Sequence, residues 1–148
     1  MKPSHWLKVL LLLPALMFAQ GSQAQSQDFG DYVVHFNAFP SSFLMPEVAT
    51  QFRIQRSRNR AVLNVSVLRK LMGTQGEPVS ARVTVNAVNL TGQAREVEMN
   101  EVRQGPAIYH IGTFKIHDGE VLDFTIEVKP DGTQATHTVK YRQQFFAQ

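Results

Sequence analysis

This chain of 148 residues should form an all-β, immunoglobulin-like sandwich of the fibronectin type, with about seven strands and one short helical turn near residues 46–52. Val79 to Val88 sets the pattern: Val79, Ala81, Val83, Val85 and Ala87 alternate with Ser80, Arg82, Thr84 and Asn86. Strand side chains repeat every two residues, so this stretch has one apolar face and one polar face. Shorter alternating stretches follow the same design and are separated by Gly, Pro and Asp turns, while no ten-residue helical pattern and no internal repeat occurs. The chain has no cysteine, so the disulfide of antibody domains is missing and the fibronectin-type relative is favoured. A closed barrel is the structural alternative.

Residues 1–24 read as a secretory signal peptide. Lys2 and Lys8 give a positive start, Leu7 to Ala19 an apolar run, and Ser22-Gln23-Ala24 a small-x-small cleavage site. The run is short for a membrane span, and with no cysteine to acylate, no stable membrane anchor is expected. Residues 25–148 then form one domain, long enough to hold a core without disulfides. Losing Lys2 and Lys8 lowers the basic count from 15 to 13 against 12 acids. The product is nearly neutral, and the high isoelectric point is no sign of nucleic-acid binding.

The elements follow in order. Gln25 to Asp28 is a polar, flexible lead. Asp31 to Phe36 is a strand with Tyr32, Val34 and Phe36 on one face and Val33 and His35 on the other, both open to burial. Asn37 to Gln51 is a loop with a turn at Pro40-Ser41-Ser42, and Pro46-Glu47 suits a first helical turn. Leu63, Val65 and Val67 form a strand, and Leu71 to Pro78 a loop. Beyond Val79–Val88 and a turn at Leu90–Gln93, Arg95 to Arg103 is one strand ended by Gly105-Pro106. Ala107 to Ile116 carries Ile108, His110, Gly112, Phe114 and Ile116 in one phase, and His117-Asp118-Gly119-Glu120 is a hairpin-like turn. Val121 to Val128 and Thr136 to Phe146 complete the set around the Pro130-Asp131-Gly132 turn.

Chemical signatures are sparse. His35, His110, His117 and His137 remain after the leader, with Met45, Met72 and Met99. Such residues suit copper, but no two histidines sit at a short ligand spacing, and we assign no metal ligand and no cofactor. No G-x-S-x-G is present, and Gly73-Thr74-Gln75-Gly76 lacks the lysine of a phosphate loop. We therefore expect a protein that is not an enzyme. Phe52 to Lys70 contains six basic residues and no acid; Arg53, Arg56, Arg58 and Arg60 suit an acidic partner surface or, more simply, a solvated edge that discourages aggregation. Phe39, Phe43, Leu44 and Met45 fall in the expected loop, where apolar residues plug an end of the sandwich or form a contact patch; plugging is the commoner role.

Phe29-Gly30-Asp31-Tyr32, His35-Phe36-Asn37-Ala38-Phe39, Ser41-Ser42-Phe43-Leu44, Pro46-Glu47-Val48-Ala49, Arg56-Ser57-Arg58, Ala107-Ile108-Tyr109 and Thr136-His137-Thr138 together resemble the bacterial domain of unknown function 4426. The resemblance covers nearly all of residues 25–148 and is most specific from Asn37 to Ala49. It implies an exported protein of Gram-negative bacteria with a periplasmic address, and carries no catalytic residues. The leading expectation is a periplasmic adaptor that contacts another envelope protein through Asn37, Phe39, Phe43, Pro46 and Glu47 together with Arg53, Arg56, Arg58 and Arg60. A copper-binding protein is the alternative.

Overall fold

The alternation around Val83 fixes one sheet and defines the other by contrast. The computed structural model describes residues 25–147, so the leader reading of residues 1–24 lies outside the described residues. Among the described residues ten strands occur: β1 (Gln25–Asp28), β2 (Tyr32–Pro40), β3 (Arg60–Arg69), β4 (Glu77–Pro78), β5 (Ala81–Asn89), β6 (Ala94–Val97), β7 (Asn100–Gln104), β8 (Ala107–Lys115), β9 (Val121–Pro130) and β10 (His137–Gln144). A 3-10 turn at Ser41–Phe43 and the helix α1 (Pro46–Gln51) lie between β2 and β3.

The larger sheet runs β1-β2-β3-β8-β7 with β4 on β3, and the smaller runs β10-β9-β5-β6. All pairs are antiparallel. In immunoglobulin lettering, β2-β3-β8-β7 is A-B-E-D and β10-β9-β5-β6 is G-F-C-C′, the expected sandwich. Between the sheets, Val34, Phe36, Leu63, Val65 and Phe114 meet Val85, Leu122, Phe124, Ile126 and Val139. Burying each such side chain contributes about 1.5–3 kcal/mol. Phe124 stacks on Tyr141 with ring centres 4.8 Å apart and meets Phe114 edge-on at 5.4 Å.

Four expectations change. Gln25–Asp28 is not a free lead: it pairs with Val33–Phe36 of β2, and Lys70 bonds Asp28. Glu77–Pro78 of the expected loop pairs back onto Leu68 and Arg69. The single strand expected from Arg95 to Arg103 is two, because the chain leaves the smaller sheet after Val97 and joins the larger one at Asn100. Gly112 makes that crossing possible: a Cβ there would stand 2.5 Å from Met99 Sδ and 2.7 Å from the Glu98 carbonyl. Finally, the turn at His117–Glu120 links β8 to β9 in different sheets and is no hairpin. An ion pair fixes it instead, with Arg95 donating from both terminal nitrogens to Glu120 at 2.9 Å. Burial pushes the Glu120 carboxyl up, but Arg95, Asn89 and His117 outweigh it and hold the group below its ordinary range.

Candidate functional site

The outward side chains of the larger sheet make a surface unlike that of an ordinary solvated sheet. Phe39 on β2 stands beside Val62 on β3, which stands beside Thr113 on β8. The next row is Asn37, Asn64, Ile111 and Asn100, across four strands. Val62 points away from the core in phase, yet only 2% of it is exposed. Something covers this face, and the cover is the segment from Ser41 to Ile54.

Local chemistry shapes that cover. The buried Ser41 hydroxyl accepts the Ser57 N–H at 2.9 Å and lies 2.9 Å from the Gln55 carbonyl, stapling the two ends of the excursion together. Pro46 opens α1, where no amide hydrogen is needed, and Glu47 sits in the first turn. At the other end the Ile54 N–H reaches the Ala49 carbonyl at 2.8 Å and the Arg53 N–H the Thr50 carbonyl at 3.2 Å. This is a Schellman closure, which needs a left-handed residue at Arg53, normally glycine; its φ is 55°.

Between cover and sheet lies a cleft of about 260 Å³ lined by Phe39, Leu44, Val48, Phe52, Ile54, Val62, Asn64, Gln104, Tyr109 and Ile111. A second opening of about 240 Å³ on the far side of Phe52–Ile54 is bordered by Arg53, Glu98, Asn100, Val102 and Ile111, among others. No ionisable acid or base lines the first cleft apart from the Tyr109 phenol. The Asn64 Oδ1 is shut off from water and has no hydrogen-bond partner. A buried unmatched acceptor costs about 1–3 kcal/mol, so this carboxamide stands out in a wall whose other polar side chains are Gln104 and Tyr109.

The residues expected to form the site divide. Phe39 is a wall of the cleft, and Asn37 is half-buried in the register position next to Asn64; both belong to β2, not to the expected loop. Phe43, Pro46 and Glu47 are exposed on the cover, with Phe43 at 69%. The cover does not plug an end of the sandwich: Leu44 and Val48 line a cleft with outward residues of β2, β3 and β8. Arg53 borders the second opening, and Arg56 donates to the Ser42 carbonyl at 3.1 Å, tying the basic run to the cover. Arg58 is exposed in a turn, while Arg60, at the start of β3, joins Lys115 and His117 around a different hollow. Val62, Asn64, Gln104, Tyr109 and Ile111 escaped the sequence reading. Part of their signal was present: Val62 on β3 and Tyr109 and Ile111 on β8 put large apolar side chains in the outward phase, the mark of a sheet covered on that side too, whereas polar Asn64 and Gln104 gave none.

A family model described as a domain of unknown function, DUF4426, matches residues 26–148. The chain belongs to the DUF4426 family. A crystal structure of a DUF4426 protein from Pseudomonas aeruginosa PAO1 is 38% identical, with a TM-score of 0.74 over 84% of this chain and 96% of that one. FetP from uropathogenic Escherichia coli strain F11, recombinantly expressed in the periplasm, is 9% identical, with a TM-score of 0.58 over 84% of this chain and 95% of that one. A copper-bound FetP variant is 10% identical, with a TM-score of 0.59 over 84% and 96%. At those identities the likeness is one of fold. No curated protein matches the chain.

Among the described residues of this DUF4426 chain the histidines sit on separate elements. His35 is on the outer face of β2, His117 in the β8–β9 turn, and His137 against the ring of Phe29 at 4.7 Å. His110 is buried between the sheets, with Nδ1 3.3 Å from the Val65 carbonyl. Burial lowers its pKa, against the opposing pull of Val65 and Glu101. Among the described residues no three His, Asp or Glu side chains are grouped to hold a metal ion, and no helix is long and apolar enough to cross a membrane.

Proposed function

We propose that this DUF4426 protein is an exported, periplasmic, non-catalytic binding domain that contacts another envelope protein through the outer face of its larger sheet. The observation that carries the reading is the apolar cleft under the Ser41–Ile54 cover, with the unmatched Asn64 acceptor in its wall. Protein partners anchor in such hollows by one large side chain, while a rim of weaker contacts excludes water. Exposed Phe43 and Met45 supply apolar rim, and Arg53 and Arg56 a basic one. A cleft of this volume is below the usual range for a whole cofactor, which favours a single anchoring group. The leader-like pattern of residues 1–24, read from the sequence, supports the address.

Chemical cross-linking in intact cells tests the proposal, comparing the native protein with Phe43→Ser and with Arg56→Ser/Arg58→Ser/Arg60→Ser. A discrete adduct weakened in both variants, at unchanged melting temperature, is the expected result. Identical patterns in all three proteins would refute it. Copper handling is the second reading, supported by the fold-level likeness to copper-bound FetP; the scattered histidines do not fit a preformed site. A calorimetric titration with Cu(II) and Cu(I) that releases no binding heat would remove it.

A further inference from the structure

We propose that a second site, independent of the cleft, binds a phosphate group in the hollow where β3 begins and β8 ends. The hollow measures about 380 Å³, and its lining includes Ser57, Asn59, Arg60, Lys115, His117 and Asp118. Arg60 and Lys115 are direct partners in the β3–β8 register, so their side chains leave from Cβ atoms about 5 Å apart. Like charges placed directly opposite one another destabilise a sheet. Among the described residues neither side chain has a carboxylate within ion-pair distance. An anion seated between them removes the repulsion and gains charge-assisted hydrogen bonds from both.

The neighbouring acids are already engaged. Asp118, the one acid in the lining, accepts the Ala147 N–H at 3.1 Å. Glu120 is held by both terminal nitrogens of Arg95, which also donates to the Lys115 carbonyl. Ser57 and Asn59 add neutral donors: the Ser57 hydroxyl accepts the Asn59 N–H at 3.2 Å, which leaves its own proton to give. His117, exposed at the rim, adds positive charge when protonated. Two fixed cations and neutral donors on separate elements match a tetrahedral dianion, whose oxygens point in several directions. A carboxylate, with one charge and two oxygens in a plane, uses only part of the arrangement.

The test titrates the native protein at about pH 7.5, where a phosphate monoester carries nearly two negative charges. Inorganic phosphate and glycerol 3-phosphate are compared with acetate and chloride at matched ionic strength, and binding is read from amide NMR shifts and melting temperature. Both phosphates should bind saturably in the millimolar range, shift Asn59, Arg60 and Lys115 to Asp118, and raise the melting temperature beyond what acetate or chloride achieves. Tighter binding of the ester assigns the site to a phosphate borne on a larger molecule, tighter binding of inorganic phosphate to the free ion. Arg60→Gln and Lys115→Gln should each weaken binding about 5-fold or more, whereas Asp118→Asn should tighten it about 2–5-fold. Without phosphate, Lys115→Gln should be at least as stable as the native protein because the opposed charges are gone, which separates lost binding from lost folding. Equal responses to phosphate and chloride overturn the proposal, as do NMR shifts centred elsewhere or binding that survives both glutamine variants. The cleft and the hollow share no lining residue, so failure here leaves the binding reading of the cleft standing.

Discussion

The two outer faces of the sandwich obey opposite rules. On the smaller sheet, Thr84, Asn86, Glu127, Thr138 and Lys140 are exposed, and Arg142 bridges to Asp123 across β10 and β9 at 2.7 Å. Water is the partner of that face, and its ion pair, lying in the open, adds little to stability. On the larger sheet, Val62, Tyr109 and Ile111 occupy the equivalent outward positions, beneath one helical turn that covers them only in part. A sheet needs one buried face to be stable. The second apolar face is more than the fold requires, and the proposed interaction rests on the part of it that the cover leaves open.

The sharpest way to break this arrangement is at the crossing between the sheets. Gly112→Ala forces a methyl group against Met99, Val97 and the Glu98 backbone and should cost about 2–3 kcal/mol, read as a lowered melting temperature with loss of β7 pairing. Next in size is a matched pair of truncations on the two faces. Val62→Ala should cost about 2 kcal/mol because Val62 is buried under the cover, whereas Thr84→Ala should stay within about 0.5 kcal/mol. Chemical denaturation of both variants checks the difference; equal effects would erase the contrast.

Acid should expose a weakness of the larger sheet. Buried His110 has its folded pKa below the ordinary value of 6.5, with burial the main cause. The folded state then binds fewer protons than the unfolded chain in the window below about 6.5, so stability is present above that pH and is lost as pH falls toward the folded pKa. Melting temperature from pH 8 to pH 5 should decline below about 6.5, and His110→Leu should flatten that part of the curve. The smallest effect concerns the cover: Arg53→Gly relieves a left-handed non-glycine residue and should raise stability by about 0.5–1 kcal/mol, measurable by denaturation, without closing the cleft.

Much of the fold was legible because period-two alternation reports burial directly. Val83, Val85 and Ala87 on β5, and Leu122, Phe124 and Ile126 on β9, face the core as the pattern demands. Polar Gln25–Asp28 carried no such signal, since an edge strand held by backbone bonds needs no apolar side chain. The break at Glu98–Met99 was hidden because Val97 and Met99 stay in phase although the chain changes sheets. For the site, Phe39 was found, but Asn64 and Gln104 were not. Their meeting with Tyr109 and Ile111 depends on strand order, which pairs β3 with β8 and β8 with β7, a fact of three dimensions.

Site-specific photo-cross-linking in living cells tests most directly whether the covered face is the one used. One protein carries the photoreactive residue at Phe43, on the cover, and another at Thr84, on the solvated face; both positions are exposed. The account expects a discrete protein adduct from position 43 and none from position 84. The same adduct from both, or an adduct from position 84 alone, would contradict it.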